Sequence, residues 1–217
     1  MLLKTAPRHM YQYRNKTIKN FGVDTESCVE YSFNSLGYRS PYEFDEKNTI
    51  VVLGNTISFG IGLTYTDTFS SILEQQLDTK VYNFSLGCYL HQNYDQLALL
   101  NSIIQSLDPK HVVFQINNLD RKRISDTQVS TNNDVNEILT LYNSFMQELK
   151  KMLDTVSNSL IYYDNISYNI ARDNFLIDNS YHVDHSIISN KGTFGKKSHK
   201  LIGLKLMQKI QAGNING

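Results

Sequence analysis

The stretch Thr49-Ile50-Val51-Val52-Leu53-Gly54-Asn55-Thr56-Ile57-Ser58-Phe59-Gly60 decides how the rest of the chain is read. Its first half is a short, unbroken apolar run rich in β-branched residues and closed by a glycine. A run of this kind predicts a strand buried on both faces, as strands of parallel sheets are. Beyond the turn, Phe69, Ile72, Leu73 and Leu77 fall on one helical face, and Asp67 and Thr68 stand where a helix cap belongs. A buried strand, a glycine-containing turn and an amphipathic helix together form the first unit of an α/β architecture.

Working outward, the unit recurs. Residues 80–85, 111–116 and 159–165 read as further strands, and residues 93–107 and 135–153 as the helices between them. Residues 196–210 read as a terminal helix with Leu201, Ile202, Leu206 and Ile210 facing inward. Strands alternating with helices predict a three-layer α/β/α sandwich around a mostly parallel sheet. Residues 1–48 show no such alternation and read as an irregular N-terminal extension packed on one domain, residues 49–217. Ligands of such sheets gather at the carboxyl ends of the strands. The segments expected there are 54–62, 86–92 and 117–126, with 173–195 just before the last helix.

Bulk properties narrow the function. The 217 residues carry 21 basic and 21 acidic side chains, a formal net charge of zero. That argues against nucleic acid as a partner held by bulk charge. Apolar runs are only a handful of residues long, so no membrane partner is expected. The opening residues lack the apolar region of a signal peptide, which points to the cytoplasm and leaves room for a phage-encoded or virion-associated protein. Cys28 and Cys88 are too few for a disulfide framework or a cysteine metal cluster. No His/Asp/Glu group has ligand spacing, and the first loop lacks both a Walker sequence and Gly-x-Gly-x-x-Gly. No metal or cofactor is therefore expected.

Several stretches, taken in order, carry a family resemblance. They are Asn34-Ser35-Leu36-Gly37-Tyr38-Arg39, Leu53 to Gly62, Val81-Tyr82-Asn83-Phe84-Ser85-Leu86-Gly87-Cys88-Tyr89, Gln115 to Arg121, and Phe194-Gly195-Lys196-Lys197-Ser198-His199. The chain resembles the SGNH, or GDSL-type, hydrolases, including bacterial and phage-like members. The resemblance implies a flavodoxin-like topology and ester hydrolysis by a serine, a histidine and an aspartate, with a glycan or a small acyl ester as substrate. It also implies an oxyanion hole built from backbone amides and an asparagine side chain.

Carried over position by position, the resemblance places Thr56 at the nucleophile, Asn55 at the preceding aspartate, and Asn190 and Thr193 at the aspartate and histidine of the last block. Gly87 and Cys88 stand at the second-block glycine, and Asn117 or Asn118 at the third-block asparagine. His182 and His185, flanked by Asp178 and Asp184, are candidates for a displaced base. Threonine has the hydroxyl of a nucleophile, but its methyl group restricts χ1 and crowds the path of attack. Ser58, two residues along, is expected to face elsewhere, and His199 to pack beside the site. The literal Asp108-Pro109-Lys110-His111 precedes a strand, at the wrong end of the sheet, and reads as a turn. Arg121, Lys122 and Arg123 are placed to meet an anion, and Phe59, Tyr65 and Tyr89 offer faces for a sugar. Two readings follow: a non-catalytic or impaired relative acting as a binding or structural module, or an esterase using Thr56 and a displaced histidine.

Overall fold

The computed structural model describes residues 13–22, 28–47, 49–85, 93–115, 132–156, 158–162 and 195–213. A hairpin comes first, with β1 (Thr17–Phe21) antiparallel to β2 (Cys28–Ser32). There follow β3 (Ile50–Leu53), α1 (Thr56–Phe59), a 3-10 turn (Tyr65–Asp67), α2 (Phe69–Leu77) and β4 (Val81–Asn83). The chain continues through α3 (Asn93–Leu107), β5 (His111–Gln115), α4 (Asn132–Leu153), β6 (Asn158–Tyr162) and α5 (Lys196–Gly213). Strands β3 to β6 form a parallel sheet in the order β4-β3-β5-β6. The first strand thus lies inside and the second at an edge, as in flavodoxin-like sheets, whose ligands bind where the strand order reverses.

The apolar runs read from the sequence are buried on both faces because alternate residues enter different cores. Val51, Leu53, Tyr82, Phe84, Val112 and Phe114 join α3 and α4 residues such as Leu100, Ile103, Phe145 and Leu149 in one cluster. Ile50, Val52, Val81 and Val113 join Phe69 and Leu73 of α2 and Ile202, Leu206 and Ile210 of α5 in the other. The three-layer sandwich is therefore built as its hydrophobic pattern requires. Thr68 caps α2, its side chain accepting the Ser71 N–H, so the helix starts where the sequence placed it. Leu201, expected inward, is only half-buried on α5.

The N-terminal segment departs from its irregular reading. Val29, Tyr31 and Phe33 alternate inward from β2 and cluster with Phe59 of α1, while Cys28, Glu30 and Ser32 face outward. This is the period-two pattern of a half-buried strand, present in the sequence but short. Farther on, Tyr38 and Phe44 enter the α3/α4-side core. The Tyr38 and Phe84 rings meet edge-on at 4.9 Å, and Phe44 stacks on Tyr82 at 4.7 Å.

Candidate functional site

At the carboxyl end of β3 the chain turns sharply into α1, a single helical turn that begins with Thr56. Asn55 is its N-cap, and its Oδ1 accepts the Ile57 N–H at 3.1 Å. An aspartate at this position would act through the same acceptor oxygen, so asparagine preserves the turn while removing a charge. Gly54 is required by close approach. A Cβ there would lie 2.5 Å from Ser58 Oγ and 2.7 Å from Gln115 Cβ. Gly60 ends α1 with φ of 75°, in the left-handed region, and an added Cβ would meet Thr68 Cγ2 at 2.5 Å.

The side chain that fills the space beside Gly54 belongs to Gln115, the last residue of β5, which is fully buried. Its Oε1 accepts from Ser58 N at 3.0 Å, from Asn55 N at 3.4 Å and from Ser58 Oγ at 2.5 Å. The carboxamide oxygen must face the turn, because a nitrogen there would set donor against donor. The amide Nε2 is buried with no partner among the described residues. Asn83, ending β4, donates its Nδ2 to Ser58 O at 2.7 Å and to Ser70 Oγ at 3.0 Å. Three neighbouring strands thus end in groups wired to one short turn.

The far end of α1 is held by Arg39. Its Nη1 donates to Phe59 O at 2.8 Å and to Gly60 O at 2.6 Å, and its Nη2 donates to Leu63 O. The guanidinium lies 4.0 Å from the centre of the Tyr31 ring, and the Tyr31 hydroxyl accepts the Gly62 N–H at 2.6 Å. Burial brings the Arg39 pKa down to about 10, which leaves it charged at neutral pH. The turn at residues 34–38 aims this arginine inward. Asn34 Oδ1 accepts from Leu36 N at 3.1 Å and Tyr38 N at 3.0 Å.

Thr56 itself is half-buried, and its Oγ1 is sealed and hydrogen-bonded to no group among the described residues. Ser58 is fully buried and committed to Gln115, so it offers no alternative nucleophile. His199, in the first turn of α5, packs on the Phe69 ring at 5.6 Å and accepts the Phe69 N–H at its Nδ1 at 3.0 Å. It serves as a cap on α2 supplied by another helix.

Phe59 is buried against Tyr31, with ring centres 5.5 Å apart, and does not offer its face to a sugar. Tyr65 is tied to Glu74 Oε2 at 3.0 Å and to Tyr42 OH at 3.2 Å. Asp108 adopts a left-handed turn conformation with φ of 46°, and His111 begins β5 at the opposite end of the sheet from Thr56. The pair expected to form a turn is therefore split between the connection that follows α3 and the first position of β5.

In its ordered stretches and its layered sheet the chain carries one family pattern. It resembles the GDSL/SGNH hydrolases. No protein-family model matches the sequence, and no curated protein does. Among solved structures, the chain is similar to the psychrotrophic esterase EstA from Pseudoalteromonas sp., whose structure was obtained inhibited by monoethylphosphonate. The two share 15% identity over 79% of this chain and 100% of that one, with a TM-score of 0.48. TesA matches at 13% identity over 76% of this chain and 99% of its own, with a TM-score of 0.46. A carbohydrate esterase, described as having an active site with divergent catalytic and non-catalytic binding functions, matches at 9% identity. It covers 80% of this chain and 68% of that one, with a TM-score of 0.48. At such identities none of these assigns a role to a residue here.

Of the residues singled out in the sequence, Thr56 stands at the carboxyl end of the sheet. Gly87, Cys88, Asn117, Asn118, His182, His185, Asn190 and Thr193 lie outside the described residues, as do Tyr89, Asp178, Asp184 and residues 121–123. Sequence reasoning finds Gln115 and Arg39 only as members of family stretches and gives neither of them a role. Gln115 is a polar residue placed directly after the apolar run Val112-Val113-Phe114, which is the one local signal it carries. Among the described residues no cluster of three His, Cys, Asp or Glu side chains is placed to hold a metal, and no helix is long and apolar enough to cross a membrane.

Proposed function

We propose that this chain is an SGNH-type module that binds a ligand or serves a structural role at the carboxyl end of its sheet, with ester hydrolysis lost or strongly impaired. The observation that carries this reading is the state of the hydroxyl at the nucleophile position. Thr56 Oγ1 is buried without a hydrogen-bond partner among the described residues, so none of them is a base placed to take its proton. The nearest serine, Ser58, donates its own proton to Gln115. At the family's aspartate and histidine positions the sequence has Asn190 and Thr193, neither of which can act as orienter or base. Residues that work as a triad lose most of their effect together, which makes the loss of all three hard to reconcile with selected hydrolysis. The ligand we assign to the module is a glycan or a small acyl ester. Residues 1–48 act as an extension of this same domain, since Tyr38 and Phe44 enter its core.

The second reading is a carbohydrate O-acyl esterase using Thr56 with His182 or His185 as a displaced base. It is favoured by the close construction of the Thr56 turn, with Gly54, the Asn55 cap and the Gln115 clamp all present. A chromogenic acetyl-ester assay separates the two. The native chain is compared with Thr56→Ala, a His182→Ala/His185→Ala double variant, and the triple change Thr56→Ser, Asn190→Asp, Thr193→His. The non-catalytic reading expects a native rate at background, unchanged by either alanine variant. Native turnover that Thr56→Ala abolishes overturns it, and loss in the histidine variant as well assigns the displaced base.

A further inference from the structure

We propose that Arg39 and Gln115 are the positioning residues of this site, fixing the Thr56 turn from its two ends. The inference rests on the Thr56 turn being the ligand-facing part of the site, and it holds whether or not the ligand is hydrolysed. A one-turn helix has no stability of its own, because nucleation fixes several dihedrals for a single hydrogen bond. Something outside α1 must hold it. At its N-terminal end one carboxamide oxygen takes two backbone N–H groups and the Ser58 hydroxyl, from a strand 57 residues away from Ser58 in sequence. At its C-terminal end one guanidinium binds the carbonyls of Phe59, Gly60 and Leu63.

The Arg39 arrangement is unusual for a buried cation. Among the described residues no carboxylate pairs with it. Its charge is met by carbonyl dipoles and by the face of the Tyr31 ring. Burying a cation without an acid is costly, and three diverging carbonyls suit the flat, forked donor set of arginine better than a lysine ammonium. The site is thereby divided between two parts of the chain. The sheet supplies Gln115 and Asn83, while the N-terminal segment supplies Arg39 and Tyr31. That segment is consequently part of the site rather than a cover on it, and the amide of Thr56 is presented in one orientation to whatever binds.

Hydrogen exchange of the full chain, followed by mass spectrometry well below the melting temperature, tests this. Peptides spanning residues 54–63 are compared with peptides spanning residues 145–153 of α4. In Gln115→Met, which removes the acceptor, exchange over 54–63 should rise by about tenfold while α4 stays at the native rate. Gln115→Glu keeps an acceptor oxygen and should restore protection to near native. Arg39→Met should raise exchange over the same peptides, with Arg39→Lys intermediate; if the methionine variant does not fold, the lysine variant carries the comparison. Unchanged exchange over 54–63, equal exposure in Gln115→Glu and Gln115→Met, or a rise shared equally by α4 would each overturn the proposal. Acetyl-ester turnover would instead overturn the non-catalytic reading and leave the clamp standing, so the two fail separately.

Discussion

The two ends of the sheet are built differently. At the amino end the connections are mostly backbone to backbone or on the surface, with one half-buried side chain, Tyr42, donating its hydroxyl to Val81 O at 3.0 Å. Ile50 N donates to Lys80 O at 3.0 Å, Lys110 N donates to Thr49 O at 2.9 Å, and an exposed Lys80–Glu46 ion pair spans the outside. Buried polar atoms without a partner among the described residues occur at both ends, Thr49 Oγ1 and His111 Nδ1 here and Arg39 Nε, Thr56 Oγ1, Ser85 Oγ and Gln115 Nε2 at the other. At the carboxyl end, buried side chains from three distant stretches of sequence converge on α1: Arg39, Asn83 and Gln115, the last bonded to Ser58 of α1 itself. Buried polar networks are costly unless satisfied, and when satisfied they fix one geometry. The carboxyl end is thus organised around one turn by several distant side chains, while the amino end is tied chiefly strand to strand.

The largest effect that would break this comparison is removal of the segment that carries Arg39. Deleting residues 1–48 takes Tyr38 and Phe44 out of the main core and strips the far end of α1 of its cation. A chain so shortened is expected to show no cooperative thermal transition by circular dichroism; retention of a native-like transition would make the segment dispensable. Next in size is Gly54→Ala. Its new methyl would sit within 2.8 Å of the Gln115 carboxamide, and displacing that buried clamp is expected to cost about 3 kcal/mol in urea-denaturation stability.

The amino end should reveal itself through acid. Burial, followed by the nearby Lys110, brings the His111 pKa down to about 4 from an ordinary value of 6.5. The folded state therefore keeps the imidazole neutral, while the unfolded chain takes up a proton below pH 6.5. Stability is unaffected above that value, falls as pH drops from 6.5 towards 4, and levels off below. The loss should be on the order of 2 kcal/mol. His111→Leu should flatten that slope in urea midpoints measured across the range. Smallest of all is Lys80→Ala, whose exposed ion pair is screened by water, and the melting temperature should move by no more than about one degree.

How much of this was legible in the sequence follows from the range of the interactions involved. Strand β3 and helices α2 and α3 were readable because apolar periodicity is local, and Thr68 because a cap acts within one turn. The β2 alternation of Val29, Tyr31 and Phe33 was equally local but too short to stand out in a segment of mixed charge with no strand–helix alternation. Asn55 was legible as the counterpart of an aspartate, and the structure adds that it retains the capping acceptor. Gln115 was visible only as the opening residue of a family stretch, since its role exists only through contacts with Asn55 and Ser58 on another strand's loop. Arg39 was visible only as part of a recurring stretch, because a cation that binds carbonyls leaves no complementary acid elsewhere in the sequence to betray it.

The most direct measurement of the central claim is covalent trapping at position 56. A reactive fluorophosphonate phosphorylates an activated hydroxyl and leaves an unactivated one untouched, because attack at phosphorus needs the same deprotonated nucleophile as attack at an ester. Intact-mass analysis of the native chain after incubation should show no adduct, in keeping with a Thr56 hydroxyl that is buried and without a base among the described residues. An adduct mapped by peptide sequencing to Thr56, and absent from Thr56→Ala, would contradict the account and make this chain an active hydrolase.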